Sequence, residues 1–360
     1  MNKLLITSAM TAGLLASGQA ITWTMQSIAV PGASNNLRIT AFNSQSTMVI
    51  RDDNNGNIYK RLSNGQITQF IAPIRFASAD AINEYGDIAV TGTDNSTNPS
   101  TPYVKMWNAN GSIENWSYPI PPGTGASLTL LGLNETRQAV GYGVRFSPDM
   151  YGACASYSPT SSMVLTDLGG SFAKDISNDG TIVGMNEYRP GTWDLAGNYT
   201  ALPLPVGDTS GAAHVITESG YIAGYTRSGS QFYMTIWSKS TRQVLYHIPA
   251  YVSGAVGAYF VYGMSMNEHM DVVYRGANGG KFWSAGTGVV DLRTSITNPV
   301  SGITYASSLK INDNREIVGG YAVGSTSYNN VLYTPVPEPS EFAVMGIGIV
   351  GLLLARRRKK

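Results

Sequence analysis

The side chains that most often do chemistry are few and scattered in this sequence. Its three histidines, His214, His247 and His269, stand far apart, and no pair has the spacing of metal ligands. The patterns His-Glu-x-x-His and Gly-x-Ser-x-Gly, which mark zinc proteases and serine hydrolases, do not occur. We therefore expect no catalytic residue, no metal and no cofactor, and we assign each histidine a structural or solvent-exposed role.

Two acidic patterns resemble cation sites at first sight. The stretch from Asp52 to Asn57 is rich in carboxylates and amides, but Arg51 takes the first ligand position of an EF-hand loop when Gly56 is aligned. A hairpin turn is the better interpretation. A second set of acids recurs at one turn position and could bind a cation if it converged on one rim, although turn chemistry explains it more simply. These acids are Glu84, Glu135, Glu218, Glu268 and Asp313.

Composition excludes some classes of function. Charged residues make up only 13% of the chain and the net charge is +1, so there is no basic field for nucleic acid. The sequence holds 40 glycines and 21 tyrosines, which is typical of short strands joined by turns. Its single cysteine, Cys154, cannot form a disulfide within the chain, and we interpret it as a small buried side chain.

A short phrase recurs seven times and is the strongest internal signal. It consists of a large apolar residue, then Asn, Ser or Thr, a polar turn that often holds Gly, two β-forming residues and usually another Gly. The phrase predicts a hairpin. Its seven copies define repeats 1 to 7, are spaced 40 to 51 residues apart and begin at Phe42, Ile82, Leu133, Ile176, Ile216, Met266 and Ile311.

A second hairpin follows the phrase in most repeats, so that each repeat holds four short strands. Trp107, Trp237 and Trp283 each begin such a hairpin. Four strands in about 45 residues is the size of a propeller blade. The sequence therefore predicts an all-β fold, a seven-bladed β-propeller of four-stranded repeats over residues 21–335.

The two ends of this region predict how the ring closes. Repeat 7 has room for only three strands before residue 336, whereas residues 21–30 alternate like a strand and have no blade of their own. We expect this N-terminal strand to complete the last blade, which would remove two exposed sheet edges.

Long variable loops between the second and third strands offer the predicted binding face, since loops on a rigid scaffold commonly carry function. Tyrosines near these loops could stack on sugar rings, with the alternative that they are ordinary strand residues. The possible ligand-facing residues are Tyr142, Tyr151, Tyr188, Tyr225 and Tyr321.

Both chain ends carry targeting patterns. Residues 1–20 combine Lys3, a short apolar run and small residues, which predicts a helical Sec signal peptide cleaved after Ala20. The segment 336–360 holds a Pro-Glu-Pro triplet, an uncharged apolar stretch from Phe342 to Ala355 and a basic cluster. The apolar stretch predicts a transmembrane helix, and the basic cluster is expected on the cytoplasmic side, which leaves the repeats outside the cytoplasm. An ordinary single-pass anchor would give the same topology.

The C-terminal segment closely resembles the PEP-CTERM sorting signal of Gram-negative bacteria over its last 25 residues. The resemblance implies recognition of Pro337, Glu338 and Pro339 by an exosortase, and a link to exopolysaccharide and biofilm. It also implies transient retention at the inner membrane before delivery to the cell surface or medium. The basic cluster that would halt translocation consists of Arg356, Arg357, Arg358, Lys359 and Lys360.

The phrase itself resembles the HAF-type extracellular repeat family, whose core reads Ile-Asn-x-x-Gly-x-Ile-Val-Gly. The copies at Ile82, Ile176 and Ile311 match best, and the later aromatic strand of the family is degenerate here. The resemblance implies an extracellular propeller-like array and no particular activity.

The expected function is therefore non-catalytic. An exported propeller would bind or organise extracellular polysaccharide at the cell surface or in the matrix. Two alternatives remain open at this point: a glycan-active lyase or hydrolase with its site at the propeller mouth, and a scaffold for protein partners.

Overall fold

The computed structural model describes residues 21–70, 77–94, 101–116, 126–145, 154–158, 161–166, 172–252, 264–276, 279–298, 303–323 and 327–336. These residues form β-strands and a single 3₁₀ turn, Leu292–Thr294. None of the helical structure in this part of the chain is long and apolar enough to cross a membrane. The predicted signal helix and transmembrane helix lie outside the described residues.

Six four-stranded antiparallel sheets form most of the molecule. Repeats 1 and 2 form β2 (Leu37–Phe42), β3 (Met48–Asp52), β4 (Ile58–Arg61) and β5 (Ile67–Phe70), then β6 (Ala77–Ile82), β7 (Ile88–Asp94), β8 (Thr101–Trp107) and β9 (Ile113–Trp116). Repeats 4 and 5 form β14 (Phe172–Ile176), β15 (Ile182–Asn186), β16 (Arg189–Trp193) and β17 (Tyr199–Ala201), then β18 (Ser210–Ile216), β19 (Tyr221–Ser228), β20 (Gln231–Ser238) and β21 (Val244–Val252). Repeat 6 forms β22 (Ser265–Met266), β23 (Val272–Gly276), β24 (Gly279–Ser284) and β25 (Gly288–Asp291). The sixth sheet joins β1 (Trp23–Ile28) to β26 (Ile303–Ile311), β27 (Ile317–Val323) and β28 (Ser327–Pro335) of repeat 7.

Repeat 3 departs from the predicted pattern of four paired strands. Its strands β10 (Ala126–Leu133) and β11 (Ala139–Arg145) form one two-stranded sheet, and β12 (Cys154–Ser158) and β13 (Ser161–Thr166) form another. The inner and outer hairpins of this repeat are therefore not joined by one continuous hydrogen-bonded ladder. The residues that the structure describes thus form six four-stranded blades, where the sequence predicted seven.

The recurring phrase folds as the predicted hairpin turn. In repeat 2 the N–H of Asn83 bonds to the carbonyl of Asp87, and Gly86 takes a φ of +88° that favours glycine. The Asn83 side chain accepts a hydrogen bond from the Asp87 N–H, 2.9 Å away, and so fixes the turn from inside. This explains why Asn, Ser or Thr follows the apolar residue that begins the phrase, and why Gly often stands three residues after it.

A register shift breaks the ladder of nearly every inner strand just before the phrase. In repeats 4 and 5 the shifts fall between Ala173 and Asp175 and between Ala213 and Val215. The glycine that ends the phrase faces this bulge, because a Cβ at Gly184 would lie 1.9 Å from the carbonyl oxygen of Phe172. Bulges of this kind redirect side chains, here toward the centre of the ring.

The buried core lies between consecutive sheets. One cluster joins repeats 1 and 2 through residues such as Val49 and Trp107, and another joins repeats 5 and 6 through Met234 and Trp283. Val318 of repeat 7 packs with Ile39 and Ile50 of repeat 1, so the last repeat shares a hydrophobic core with the first. The sheets therefore form a closed ring, and the fold is the predicted β-propeller.

The N-terminal strand closes this ring, as predicted. Strand β1 pairs antiparallel with β28 in a register that sets Trp23 opposite Pro335 and Ile28 opposite Asn330. On its other side, the Trp23 N–H donates to the carbonyl of Ser295 at 2.9 Å, and the Thr297 N–H donates to the carbonyl of Trp23 at 2.9 Å. The strand therefore fastens repeat 7 to the end of repeat 6.

Candidate functional site

The inner strands surround a central channel that forms a cavity of about 760 Å³. Inner-strand or turn residues from all seven repeats contribute to its wall. A cavity of this volume lies within the range of 300–1,000 Å³ that is typical of small-molecule sites. The channel is therefore the candidate functional site.

A ring of side-chain amides joins neighbouring repeats where the inner strands end. The Asn43 amide donates to the carbonyl of Asn83 at 3.0 Å, and the Asn83 amide donates to that of Asn134 at 3.3 Å. Asn312 continues the pattern across the closure by donating to the carbonyl of Asn43 at 3.3 Å. Repeats 4 and 5 carry Ser177 and Thr217 at this position, and their hydroxyls bond within their own turns.

A second ring of hydrogen bonds is continuous around all seven repeats. The residue after each phrase Asn, Ser or Thr donates its backbone N–H to the side-chain oxygen of the equivalent residue in the next repeat. Donor–acceptor distances range from 2.7 Å for Asn178 to Glu218 to 3.4 Å for Asp313 to Ser44. The complete ring consists of Ser44, Glu84, Glu135, Asn178, Glu218, Glu268 and Asp313.

The five recurring acids thus converge on one mouth of the channel, where their carboxylates hold the turns of the preceding repeats. Burial, together with the negative charges of Asp313 and Glu135, raises the pKa of Glu84. Burial and the charge of Glu218 likewise raise the pKa of Glu135. Among the described residues, no group of three or more His, Cys, Asp or Glu side chains is arranged to hold a metal ion. The acids act as links between repeats.

Charged side chains line the channel interior beyond this rim. Asp80, Lys174 and His214 stand at the same position of their repeats, two residues before the end of the inner strand. Lys310 and Asp175 occupy the next position in repeats 7 and 4. Sequence analysis did not single out the two lysines or the two aspartates, which look like ordinary strand residues in a linear reading.

Lys174 and Lys310 line the same cavity, and the charge of Lys310 acts on Lys174. Burial, reinforced by the positive charge of Lys310, lowers the pKa of Lys174 to about 8. The Lys174 ammonium lies 5.8 Å from the ring centre of Tyr142 and 5.7 Å from that of Phe172. Burial also lowers the pKa of Lys310, against the opposing effect of the Asp80 and Asp175 charges.

His214 is held in its neutral form beside these lysines. Burial and the charges of Lys174 and Lys310 lower its pKa well below the usual value. Its ring centre lies 5.7 Å from that of Tyr225, and its Nε2 atom is shielded from solvent with no hydrogen-bond partner among the described residues. A neutral imidazole can accept a proton, although the lowered pKa of His214 makes it a weak base.

Asp175 connects repeats 4 and 5. Its carboxylate accepts hydrogen bonds from the N–H groups of Ile176 at 2.9 Å and Ile216 at 3.0 Å. Burial raises its pKa to about 7 in spite of these bonds. Gly132 of repeat 3 makes room for it, because a Cβ at that glycine would lie 2.7 Å from the Asp175 Cα.

The predicted ligand-facing tyrosines occupy different places. Tyr142 lines the channel. Tyr225 packs between His214 and Phe232, with ring centres 5.7 Å from each. Tyr188 lies in a tight hairpin turn with a φ of +65° and is 73% exposed. Tyr151 lies outside the described residues, and only the backbone position of Tyr321, in β27, is described.

The calcium-like stretch is a turn, as predicted. Asp52 is fully buried, and its carboxylate accepts hydrogen bonds from the backbone N–H groups of Ser34 and Asn54 and from the side chain of Asn55. Burial alone would raise the pKa of Asp52, but these bonds outweigh it and lower the pKa. The carboxylate is fully occupied as a turn acceptor.

The other histidines lie away from the channel wall. His247 contacts Asp208 at 2.9 Å and stacks on Tyr233 with ring centres 4.1 Å apart, whereas His269 is exposed in a turn. The sorting residues Pro337, Glu338 and Pro339, the basic cluster and Ala20 lie outside the described residues.

Comparison with known proteins identifies the fold. No protein-family model and no curated protein sequence matches this chain. Among solved structures, a streptogramin B lyase matches 88% of this chain and 98% of its own with 12% identity and a TM-score of 0.57. An oligogalacturonate lyase in complex with manganese matches 89% of this chain and 97% of its own, with 11% identity and a TM-score of 0.55. A chain of the mitotic checkpoint complex matches 94% of this chain and 100% of its own, with 11% identity and a TM-score of 0.53. At such low identity these likenesses establish an all-β propeller and leave its activity open.

Proposed function

We propose that this chain is an exported bacterial surface or matrix protein whose propeller binds extracellular polysaccharide. Residues 1–20 would direct export, residues 21–335 would bind, and residues 336–360 would engage an exosortase at the inner membrane. The observation that carries the binding role is the central cavity, whose wall combines charged groups with an aromatic face at Tyr142. Aromatic faces and polar groups in one cavity suit the apolar faces and hydroxyls of sugars.

We also propose that repeat 3 is the seventh blade of the ring. Four of its residues pack against repeat 2, namely Leu128, Leu130, Leu133 and Ala139, and Val140 packs against repeat 4. Glu135 and Asn134 take their places in the two rings of hydrogen bonds. Repeat 3 thus makes the contacts of a blade, although its outer hairpin is separately paired.

Fractionation of the native host tests the location and the processing. We expect the mature protein in the membrane fraction, in the medium or in both. Residues 1–20 should be removed by cleavage after Ala20, and the cytoplasmic fraction should contain none of the protein. Intact-mass measurement of both termini checks the two processing steps. Full-length protein in the cytoplasm, with residues 1–20 retained, would contradict the export proposal.

Polysaccharide pull-down with the mature protein tests the binding role. We expect retention on exopolysaccharide from the same host, with a heat-unfolded sample as the control. Failure to bind any matrix polymer, together with co-purification of one protein partner, would favour the scaffold alternative instead.

A lyase is the second candidate, and His214 is the observation that favours it. Its neutral ring stands beside Lys174 and Lys310, an arrangement that could remove a proton next to a carboxylate while the ammonium groups stabilise the developing negative charge. Two propellers of similar fold are named as lyases. Incubation with acidic polysaccharides, followed by ultraviolet detection of unsaturated sugar products, tests this reaction. Product formation that disappears in His214→Ala would establish the enzyme, and intact polymer after prolonged incubation would exclude it for the substrates used.

A further inference from the structure

The strand directions give the propeller two faces of different kind. In each blade the first strand runs toward the turn of the recurring phrase, such as residues 83–87, and the third strand runs toward a second short turn, such as residues 194–198. The connections from second to third strands, such as residues 53–57 and 229–230, join strand ends on the opposite side. We call these two sides the short-turn face and the loop face.

The two ends of the propeller domain meet at the short-turn face. Strand β28 is the third strand of its blade and ends at this face, whereas β1 takes the fourth place and begins there, with Trp23 opposite Pro335. The N–H of Val336 donates to the carbonyl of Thr22 at 2.9 Å, so pairing continues to the last residue before the Pro-Glu-Pro triplet. The chain therefore enters and leaves the propeller at one point of the short-turn face.

A short linker separates this point from the predicted membrane segment. It consists of residues 337–341, and the apolar stretch begins at Phe342. A fully extended chain covers at most about 3.3–3.6 Å per residue, so these residues span no more than about 18 Å. A strand as long as β20, with 8 residues, extends over about 26 Å. A chain anchored through this segment must therefore keep its short-turn face near the membrane and its loop face farther away.

Most of the exposed large apolar side chains among the described residues lie on the short-turn face. They stand in its turns or at the start of outer strands that begin there, and each is at least 43% exposed. These residues are Tyr85, Ile113, Leu195, Leu245 and Val289. Two others, Tyr188 and Val206, lie toward the loop face. Exposed apolar residues gathered on one face are typical of a surface that rests in the interfacial region of a bilayer.

The acidic ring at the channel mouth is compatible with contact between this face and lipid. Its five carboxylates each accept a hydrogen bond from a backbone N–H of the preceding repeat. Most of the apolar residues stand farther from the mouth, in the outer strands and the turns that lead to them. Arg242 is exposed in the turn before β21 and offers a positive charge to lipid phosphate groups.

We infer that the short-turn face of the anchored propeller lies against the phospholipid surface and that the loop face points away from it. The inference rests on the proposed anchoring through residues 336–360 and adds the orientation of the domain. The outer apolar residues contact the headgroup region, and the membrane covers the acidic mouth of the channel. A polysaccharide then reaches the anchored protein from the loop face.

Fluorescence quenching from the lipid headgroups tests this orientation. The chain of residues 21–360, with Cys154→Ala, is inserted into vesicles of phosphatidylethanolamine and phosphatidylglycerol. A fluorophore is attached at Ser240→Cys on the short-turn face or at Ser230→Cys on the loop face, both of which are exposed positions. Because the two positions flank β20 and lie about 30 Å apart, we expect a headgroup quencher to act at least about twofold more strongly at Ser240→Cys.

Replacement of apolar residues tests the contact with lipid itself. Leu195→Ser combined with Leu245→Ser should reduce the quenching at Ser240→Cys by about half, because these side chains no longer hold the face in the interfacial region. Val206→Ser is the matched control, since Val206 is fully exposed toward the loop face and its loss should change nothing. Unchanged quenching in the double variant would refute contact between this face and lipid.

The same vesicles distinguish failure of this inference from failure of the proposed anchoring. Protein that co-sediments with vesicles after a carbonate wash, but is quenched equally at both labels or more at Ser230→Cys, would refute the orientation alone. Protein that is washed off would contradict the anchoring and the orientation together. If either variant unfolds at a lower urea concentration than the wild type, Ser63→Cys and Asn54→Cys, which are exposed on either side of β4, replace the pair with the same expected order.

Discussion

Replacement of Trp23 by alanine should weaken the closure of the ring. Trp23 is fully buried on β1, the strand that completes the last sheet. Its ring packs edge-on against Phe282 of repeat 6, with ring centres 5.0 Å apart, and its Nε1 donates to the carbonyl of Arg315 in repeat 7 at 3.2 Å. One side chain therefore contacts both repeats that the strand joins.

The size of the effect follows from these contacts. Truncation of a buried Trp to Ala typically costs about 3–5 kcal/mol. The edge-on contact with Phe282 adds roughly 0.5–1.5 kcal/mol. The lost hydrogen bond adds little, because Arg315 is exposed and water can reach its carbonyl. We expect a loss of about 4–6 kcal/mol, which is a large part of the roughly 5–15 kcal/mol that stabilises a typical domain.

Equilibrium unfolding in urea, followed by circular dichroism, measures this loss. Thr24→Ala is the matched control, since Thr24 is the next residue on the same strand, is exposed, and should change stability by less than about 0.5 kcal/mol. Trp23→Phe should fall between the two. A Trp23→Ala protein with the wild-type unfolding midpoint would show that β1 does not hold the ring together.

Three other predictions concern the channel. Gly132→Ala should destabilise the protein by about 1–3 kcal/mol in urea unfolding, because the added Cβ would lie 2.7 Å from the Asp175 Cα, whereas Gly286→Ala, with open space around it, should have little effect. Asn312→Ala should cost about 1–3 kcal/mol by the same assay, since it leaves the buried turn and the inter-repeat link without their partner, and wild-type stability would contradict that role. The free energy of unfolding should fall as pH rises from about 4 to about 7, because folded Asp175 keeps its proton up to about 7 whereas the unfolded carboxyl loses it near its ordinary pKa of 3.8. Urea unfolding at a series of pH values checks this, and a free energy of unfolding that rises over that range would contradict it.

Local pattern predicted much of this fold. The phrase and its turn residues identified hairpins, and the spacing of seven copies indicated a ring of small sheets. The alternating segment at residues 21–30 had no local partner, and the incomplete repeat 7 needed a strand, so the pairing of β1 with β28 followed from the two ends together. The division of repeat 3 into two sheets was not predicted, because its strands carry the same pattern as those of the other repeats.

The channel was harder to predict, because its wall is formed by residues from all seven repeats, which are far apart in the sequence and come together only when the ring closes. The recurring acids were correctly placed in turns, but their bonds to the preceding repeat depend on how adjacent sheets are inclined. Lys174 and Lys310 line the same cavity only because β14 and β26 belong to one ring. One signal was present in the sequence: aligning the repeats on the phrase places Asp80, Lys174 and His214 at one position that is apolar in several other repeats.

The pairing of β1 with β28 also orders events in the life of the chain. Strand β1 must wait for β28, its partner in the sheet, until some 310 further residues have been synthesised. A chain that stops early lacks β28 and keeps both ends of its row of sheets open, with unpaired backbone available to proteases and to other chains. We therefore expect the complete chain to resist proteolysis better than a truncated one, because only the complete chain can pair β1 with β28.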